Sequence, residues 1–187
     1  MRHSLIKLLE VDRKDFLEPK KLSKPPYQIY CDMDGVLCDF AGRFDHFTGM
    51  SPSEYKDQKG NKMFWKIIDE VGEVFWSGMD WTPRGKELWR FIEPYRPQLL
   101  TSPSFQQSSR DGKLLWASKN LPSWVKVNFR QAKNKQEFAN PKTIIIDDKD
   151  STIEQWSSKN GIAIHHPENT TNLTPIFNKL KELGYDR

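Results

Sequence analysis

Asp32 and Asp34 stand one residue apart in Asp32-Met33-Asp34-Gly35, directly after the apolar, β-prone run Tyr27-Gln28-Ile29-Tyr30-Cys31. In an extended segment residues i and i+2 point to the same side, so both carboxylates can reach one cleft, and Gly35 permits a sharp turn beyond them. Carboxylates this close repel, which raises the pKa of one of them. A raised pKa suits an acid that protonates a leaving alkoxide and later takes a proton from water, while the other carboxylate acts as nucleophile. Phosphoryl transfer asks for such a pair, together with positive charge around the transferring oxygens.

Other stretches offer the remaining parts. Asp147-Asp148 closes the apolar run Thr143-Ile144-Ile145-Ile146 and presents hard oxygen ligands, which favour Mg²⁺. Thr101-Ser102-Pro103 closes Gln98-Leu99-Leu100, and its hydroxyls and backbone N–H groups can bond phosphate oxygens. A lysine from the Lys133/Lys135 region would counter the charge on nucleophile and phosphate.

These groups need a scaffold that brings them together. Strands are expected at 27–31, 98–100, 143–146 and 161–164, with Val125-Lys126-Val127 a further one. Helical patterns fall between them, at Arg84 to Ile92, Asp111 to Lys119, Ser151 to Ser158 and Leu173 to Leu183. Alternating strands and helices predict an α/β fold: a Rossmann-like, three-layer α/β/α domain with a parallel sheet. Ligands bind such a sheet at the carboxyl ends of its strands, where the aspartates and Thr101-Ser102 are expected. From Phe44 to Asp80 no strand-like run occurs, only short amphipathic pieces such as Met63 to Ile68. We therefore expect a core of residues 27–43 and 81–187, a small inserted helical cap at 44–80, and an N-terminal extension at 1–26. In that extension Leu5, Ile6, Leu8 and Leu9 suit one side of a short helix, and Glu18 to Pro26 reads as a linker.

In this order and placement the motifs resemble those of the haloacid dehalogenase-like phosphatases. They are Asp32-Met33-Asp34-Gly35-Val36-Leu37, Leu100-Thr101-Ser102, a lysine before the fourth strand, and Ile146-Asp147-Asp148. Within that superfamily the chain is similar to the 5′(3′)-deoxyribonucleotidases, including phage and bacterial relatives. That closer likeness is carried by Cys38-Asp39-Phe40 after the first motif, Phe64-Trp65, Pro83-Arg84-Gly85, Thr101-Ser102-Pro103, and Lys113 ahead of Trp116. It covers roughly residues 27–185, loosely in the cap. The resemblance implies Asp32 as nucleophile and Asp34 as acid/base. Mg²⁺ would be held by the Asp32 carboxylate, the Asp34 carbonyl and Asp148, with Asp147 acting through water. Thr101, Ser102 and Lys135 would hold phosphate, joined by Lys113, and Phe40, Phe64, Trp65 and Trp76 would shape a nucleoside pocket. The segment Arg130-Gln131-Ala132-Lys133-Asn134-Lys135 departs from the family's Arg-Asp-Lys, which leaves Lys133 and Lys135 in competition. Lys135 sits nearer the usual distance from the aspartate pair.

Composition narrows the classes. The formal charge of +4 suits anionic ligands, but Lys and Arg are interspersed with acids, which argues against a nucleic-acid surface. No apolar run approaches the ~20 residues needed to cross a bilayer, and the basic start breaks at Glu10 and Asp12, unlike a signal peptide. Cys31 and Cys38 read as reduced packing residues of a cytoplasmic protein, because a disulfide would distort the turn between them. His165 and His166 resemble a metal pair, yet neighbours in a strand face opposite ways, so they read as structural. The expected activity is a Mg²⁺-dependent nucleotidase acting on nucleoside monophosphates. A phosphatase of another small ester or of nucleic-acid 3′-phosphate ends stands beside it, as does a non-catalytic nucleic-acid-binding protein. The sequence leaves the oligomeric state open, a homodimer included.

Overall fold

The computed structural model describes residues 26–168 and 170–185. The expected N-terminal helix and nearly all of the linker lie outside them. Five strands, β1 (Gln28–Cys31), β2 (Gln98–Thr101), β3 (Val127–Phe129), β4 (Thr143–Asp147) and β5 (Ile162–His165), form one parallel sheet in the order β3-β2-β1-β4-β5. The expected strands are all present. The third begins two residues later than its apolar pair implies, because Val125 is held in a turn by its N–H bond to the Pro122 carbonyl.

β4 shows how the sheet is covered. All five of its residues are buried, as a central parallel strand requires. Ile144 and Ile146 join the larger core with Ile29, Cys31, Leu99 and Ile164. Ile145 points the other way, to Leu100 and Trp156. The second face is closed by α6 (Asp150–Ser158), which supplies Trp156, and by a 3₁₀ stretch, Ala132–Phe138. The larger core takes Leu88, Trp89 and Ile92 from α4 (Gly85–Ile92), Trp116 and Ala117 from α5 (Gln107–Asn120), and Ile176 and Leu180 from α7 (Thr174–Glu182).

Between β1 and α4 the chain is helical. α1 (Phe40–Thr48) begins four residues before the expected cap boundary because Asp39 caps it, its Oδ1 accepting the Gly42 N–H at 2.8 Å. α2 (Pro52–Val71) opens with a full capping box between Ser51 and Glu54 and kinks at Gly60. α3 (Glu73–Ser77) is short and lies hard against α5: a Cβ on Gly112 would stand 2.6 Å from the Trp76 Cβ and 2.7 Å from the Glu73 carbonyl oxygen. Only glycine lets these two helices approach so closely. Phe44, Phe64, Phe75 and Trp76 from this insertion share the larger core, so it is packed onto the sheet domain. Among the described residues no helix is long and apolar enough to cross a membrane.

Candidate active site

β1 is the strand from which the order runs both ways, to β2 and β3 on one side and to β4 and β5 on the other. The crevice at such a switch point is where open α/β sheets bind ligands, and Asp32 is the first residue beyond β1. Its N–H bonds the Ile146 carbonyl, so it prolongs the ladder toward β4. The chain then closes a tight loop in which the N–H groups of Val36, Leu37 and Cys38 all reach the Met33 carbonyl, and that of Gly35 reaches the Cys38 carbonyl. Gly35 has φ +76°, a left-handed conformation costly for other residues. Cys31 and Cys38 are free and buried on either side of this loop, and burial pushes both thiols well above their ordinary pKa.

Two lysines are sunk beneath the aspartates. Lys135, 1% exposed, places its Nζ 2.8 Å from Asp32 Oδ2 and 2.7 Å from Asp147 Oδ2. Lys133 is exposed, so of the two sequence candidates Lys135 is the one brought to the aspartates. Lys113, fully buried on α5, donates to Asp34 Oδ2 at 2.6 Å and to Thr101 Oγ1 at 2.8 Å. Its ammonium also lies 5.0 Å from the Trp76 ring centroid, a cation–π contact. Burial would raise the pKa of Asp32, but the charges of Lys135 and Lys113 outweigh it and hold the carboxyl below its ordinary value. Asp32 is therefore ionised at neutral pH.

Carboxylate oxygens of Asp32, Asp147 and Asp148 lie within 4.8 Å of one another. Their surroundings differ. Both oxygens of Asp147 already accept protein donors, Lys135 Nζ at 2.7 Å and the Lys149 N–H at 3.0 Å. Asp147 thus holds Lys135, and as a member of the acidic triad it keeps lone pairs through which to meet a metal-bound water. Asp148 keeps a buried oxygen, Oδ1, with no protein partner. Burial and the charges of Asp32 and Asp147 push its pKa up to about 7. Its other oxygen occupies the space a side chain at position 35 would fill, 2.7 Å from a Cβ built on Gly35. An unpartnered oxygen beside a second carboxylate is what a hard divalent cation would satisfy, and the donors fit Mg²⁺. His165 and His166 diverge, as strand geometry requires: the His165 ring contacts the Asp148 carbonyl at 3.0 Å, whereas His166 is buried.

Above these groups opens a cavity of about 520 Å³. Asp32, Asp34, Ser102 and Asp148 line it, as do Phe40, Phe64, Trp65 and Trp76. The four aromatic candidates therefore share one cavity with the acidic groups. Ser102 Oγ and the Trp76 indole nitrogen are buried without protein partners. Thr101 lies underneath, its hydroxyl accepting from Lys113 and keeping its own proton to give. Phe105, Lys56, Asp69 and Gln131 also line the cavity and were not singled out from the sequence. They come from a loop and helix face whose polar composition looks like any solvated surface.

The chain matches no protein-family model and no curated protein. Among solved structures it is similar to one described as a dehalogenase, at 11% identity and TM-score 0.53, over 85% of this chain and 99% of that one. It is similar also to a HAD phosphatase from Thermococcus onnurineus, at 13% identity and TM-score 0.50, over 86% and 99%. A HAD-family enzyme from Bacteroides thetaiotaomicron, solved with magnesium and inorganic phosphate, matches at 14% identity and TM-score 0.47, over 81% and 98%. The first two carry the conclusion as far as fold: this chain has the α/β fold found in haloacid dehalogenase-like enzymes.

Proposed function

We propose that the protein is a Mg²⁺-dependent phosphatase that forms an aspartyl-phosphate on Asp32 and acts on nucleoside monophosphates. The observation that carries the reaction type is the pairing at the switch point. An ionised Asp32 faces a cavity, with Lys135 on its far side, and Asp34 stands beside it on the same rim. In the first step an oxygen of Asp32 attacks phosphorus and the bond to the leaving oxygen breaks. Asp34, placed by Lys113, gives that oxygen its proton. In the second step Asp34 takes a proton from water, the water oxygen attacks phosphorus, and the bond to Asp32 breaks, releasing inorganic phosphate. Ser102 and Thr101 supply hydroxyl donors to the non-bridging oxygens, and Lys113 and Lys135 supply positive charge beneath them. Asp32, the Asp34 carbonyl and Asp148 would hold Mg²⁺, which when bound neutralises charge on the transferring group. The structural likeness to a HAD phosphatase fits this chemistry.

The nucleoside reading rests on the aromatic wall of Phe40, Phe64, Trp65 and Trp76 and on a cavity of about 520 Å³, within the usual range for a small-molecule site. Phosphate release from a panel of dUMP, dTMP, ribonucleotides and sugar phosphates, with and without Mg²⁺, tests both parts. Nucleoside monophosphates should lead the panel, EDTA should stop turnover, and Mg²⁺ should restore it. Sugar phosphates cleaved while nucleotides are ignored would remove the nucleotidase reading. Asp32→Asn should lower kcat by about 10³-fold or more with the fold retained. Unchanged hydrolysis of p-nitrophenyl phosphate by that variant would end the covalent mechanism.

A further inference from the structure

Phe105 is 98% exposed, yet the backbone that carries it is pinned. The Ser104 N–H bonds Ser109 Oγ at 3.0 Å, the Gln106 N–H bonds Ser104 Oγ at 3.3 Å, and Gln131 Nε2 bonds the Pro103 carbonyl at 3.3 Å. Gln106 borders one surface hollow with Asp69 and Trp65, which sets this loop beside the helix bearing Trp65. A large apolar ring held out in water by an ordered loop gains nothing for the fold, since it removes no surface from solvent. Phe105 does, however, line the same cavity as Asp32 and Asp34. Trp65, contributed by α2 and 38% exposed, lines it too. Two exposed aromatic side chains on separate, adjacent elements thus border the mouth of one cavity. Held in place beforehand, they lose little freedom on meeting a flat ligand, and ring stacking accepts any planar ring.

We propose that Phe105 and Trp65 are the aromatic walls of a subsite for a planar ring on the leaving group, and that Phe105 sets the preference for ring-bearing phosphate esters over ring-free ones. The proposal rests on the phosphatase reading and deepens it. Kinetics on the full chain with Mg²⁺ would compare two substrate pairs for the parent, Phe105→Ala and Phe105→Tyr. The pairs are dUMP with 2-deoxyribose 5-phosphate, and phenyl phosphate with glycerol 3-phosphate. Phe105→Ala should lower kcat/KM about ten-fold for the ring-bearing member of each pair that is hydrolysed. The loss should fall on KM, because stacking away from phosphorus serves substrate and transition state alike. The ring-free member should be unaffected, and Phe105→Tyr should match the parent. Equal losses on both members, or none on either, overturn the proposal. An effect on phenyl phosphate with dUMP ignored keeps the subsite and removes the nucleotide. If no ester is hydrolysed the phosphatase reading fails, and equilibrium binding of phenyl phosphate decides: weaker binding to Phe105→Ala supports the subsite, and equal binding overturns it.

Discussion

Lys135 bears a charge with almost no access to water, a costly placement unless it is matched. Burial alone would lower its pKa, but Asp32 and Asp147 raise it well above the ordinary lysine value, so the ammonium is fixed at any working pH. Replacing it with methionine keeps the volume and leaves two buried carboxylates facing each other. Lys135→Met should therefore cost about 3–5 kcal/mol, the usual price of breaking a buried pair from one side. Adding Asp147→Asn removes one of the stranded charges. The double variant should regain part of the lost stability in urea unfolding while turnover stays absent. Full activity in the double variant would show that Lys135 is only a structural partner of Asp147. At this scale the sequence was informative where residue type and strand end coincide, as at Asp32, Asp34 and Asp148. Between Lys133 and Lys135 only the family's usual spacing favoured Lys135, because a 3₁₀ stretch has no strong periodicity from which to read the buried position. Nor could the sequence give Phe105 a role, because an isolated Phe in a polar loop says nothing of what the loop borders.

At the scale of elements, the contact between α3 and α5 joins the helical insertion to the chemistry. α5 carries Lys113, and α3 carries Trp76, whose ring lies over that lysine's ammonium. The spacing is enforced by Gly112, whose missing side chain leaves room for the Trp76 Cβ and the Glu73 carbonyl. Ala at a helical position is ordinarily favoured over Gly by about 1 kcal/mol. Here the added methyl meets backbone, which cannot rotate away, and overpacking of this kind costs about 1–3 kcal/mol. The second effect wins, so Gly112→Ala should lower stability by about 1–2 kcal/mol. It should also lower kcat, since α3 must shift and take Trp76 with it. An increase in melting temperature with unchanged kcat would show that the two helices can part freely. Helices α4, α6 and α7 were legible in outline because each turns apolar residues to the sheet, whereas α5 buries Ser109, Gly112 and Lys113 beside Trp116 and Ala117 and leaves Leu114 exposed. α2 was visible only as fragments such as Met63 to Ile68, since its first half exposes every residue from Lys56 to Met63 and so carries no apolar period.

At the scale of the whole molecule, alternation of strands and helices indicates a parallel sheet but not the order of its strands. That order depends on which distant pieces meet, and local pattern does not encode it. One such meeting closes the described chain: Tyr185, beyond α7, is fully buried and donates its hydroxyl to the Tyr27 carbonyl at 2.7 Å, just before β1. The Tyr27 N–H lies 3.2 Å from the same oxygen, so one phenol ties the end of the fold to its first strand. Burial pushes its pKa up to about 12, above the ordinary 10.0. The folded state thus favours the neutral phenol. The stability this gives is complete below pH 10 and is lost as pH rises through about 12, because the unfolded chain ionises first. Tyr185→Phe should cost about 1 kcal/mol at pH 8, the worth of a typical hydrogen bond. Other groups titrate in this range in both proteins, so the informative quantity is the gap between them. Urea midpoints of parent and variant should converge between pH 10 and pH 12, because only the parent carries the phenol at position 185. A gap that stays constant across that range would mean that Tyr185 is held by packing alone and that its hydrogen bond to Tyr27 adds nothing to the closure of the fold.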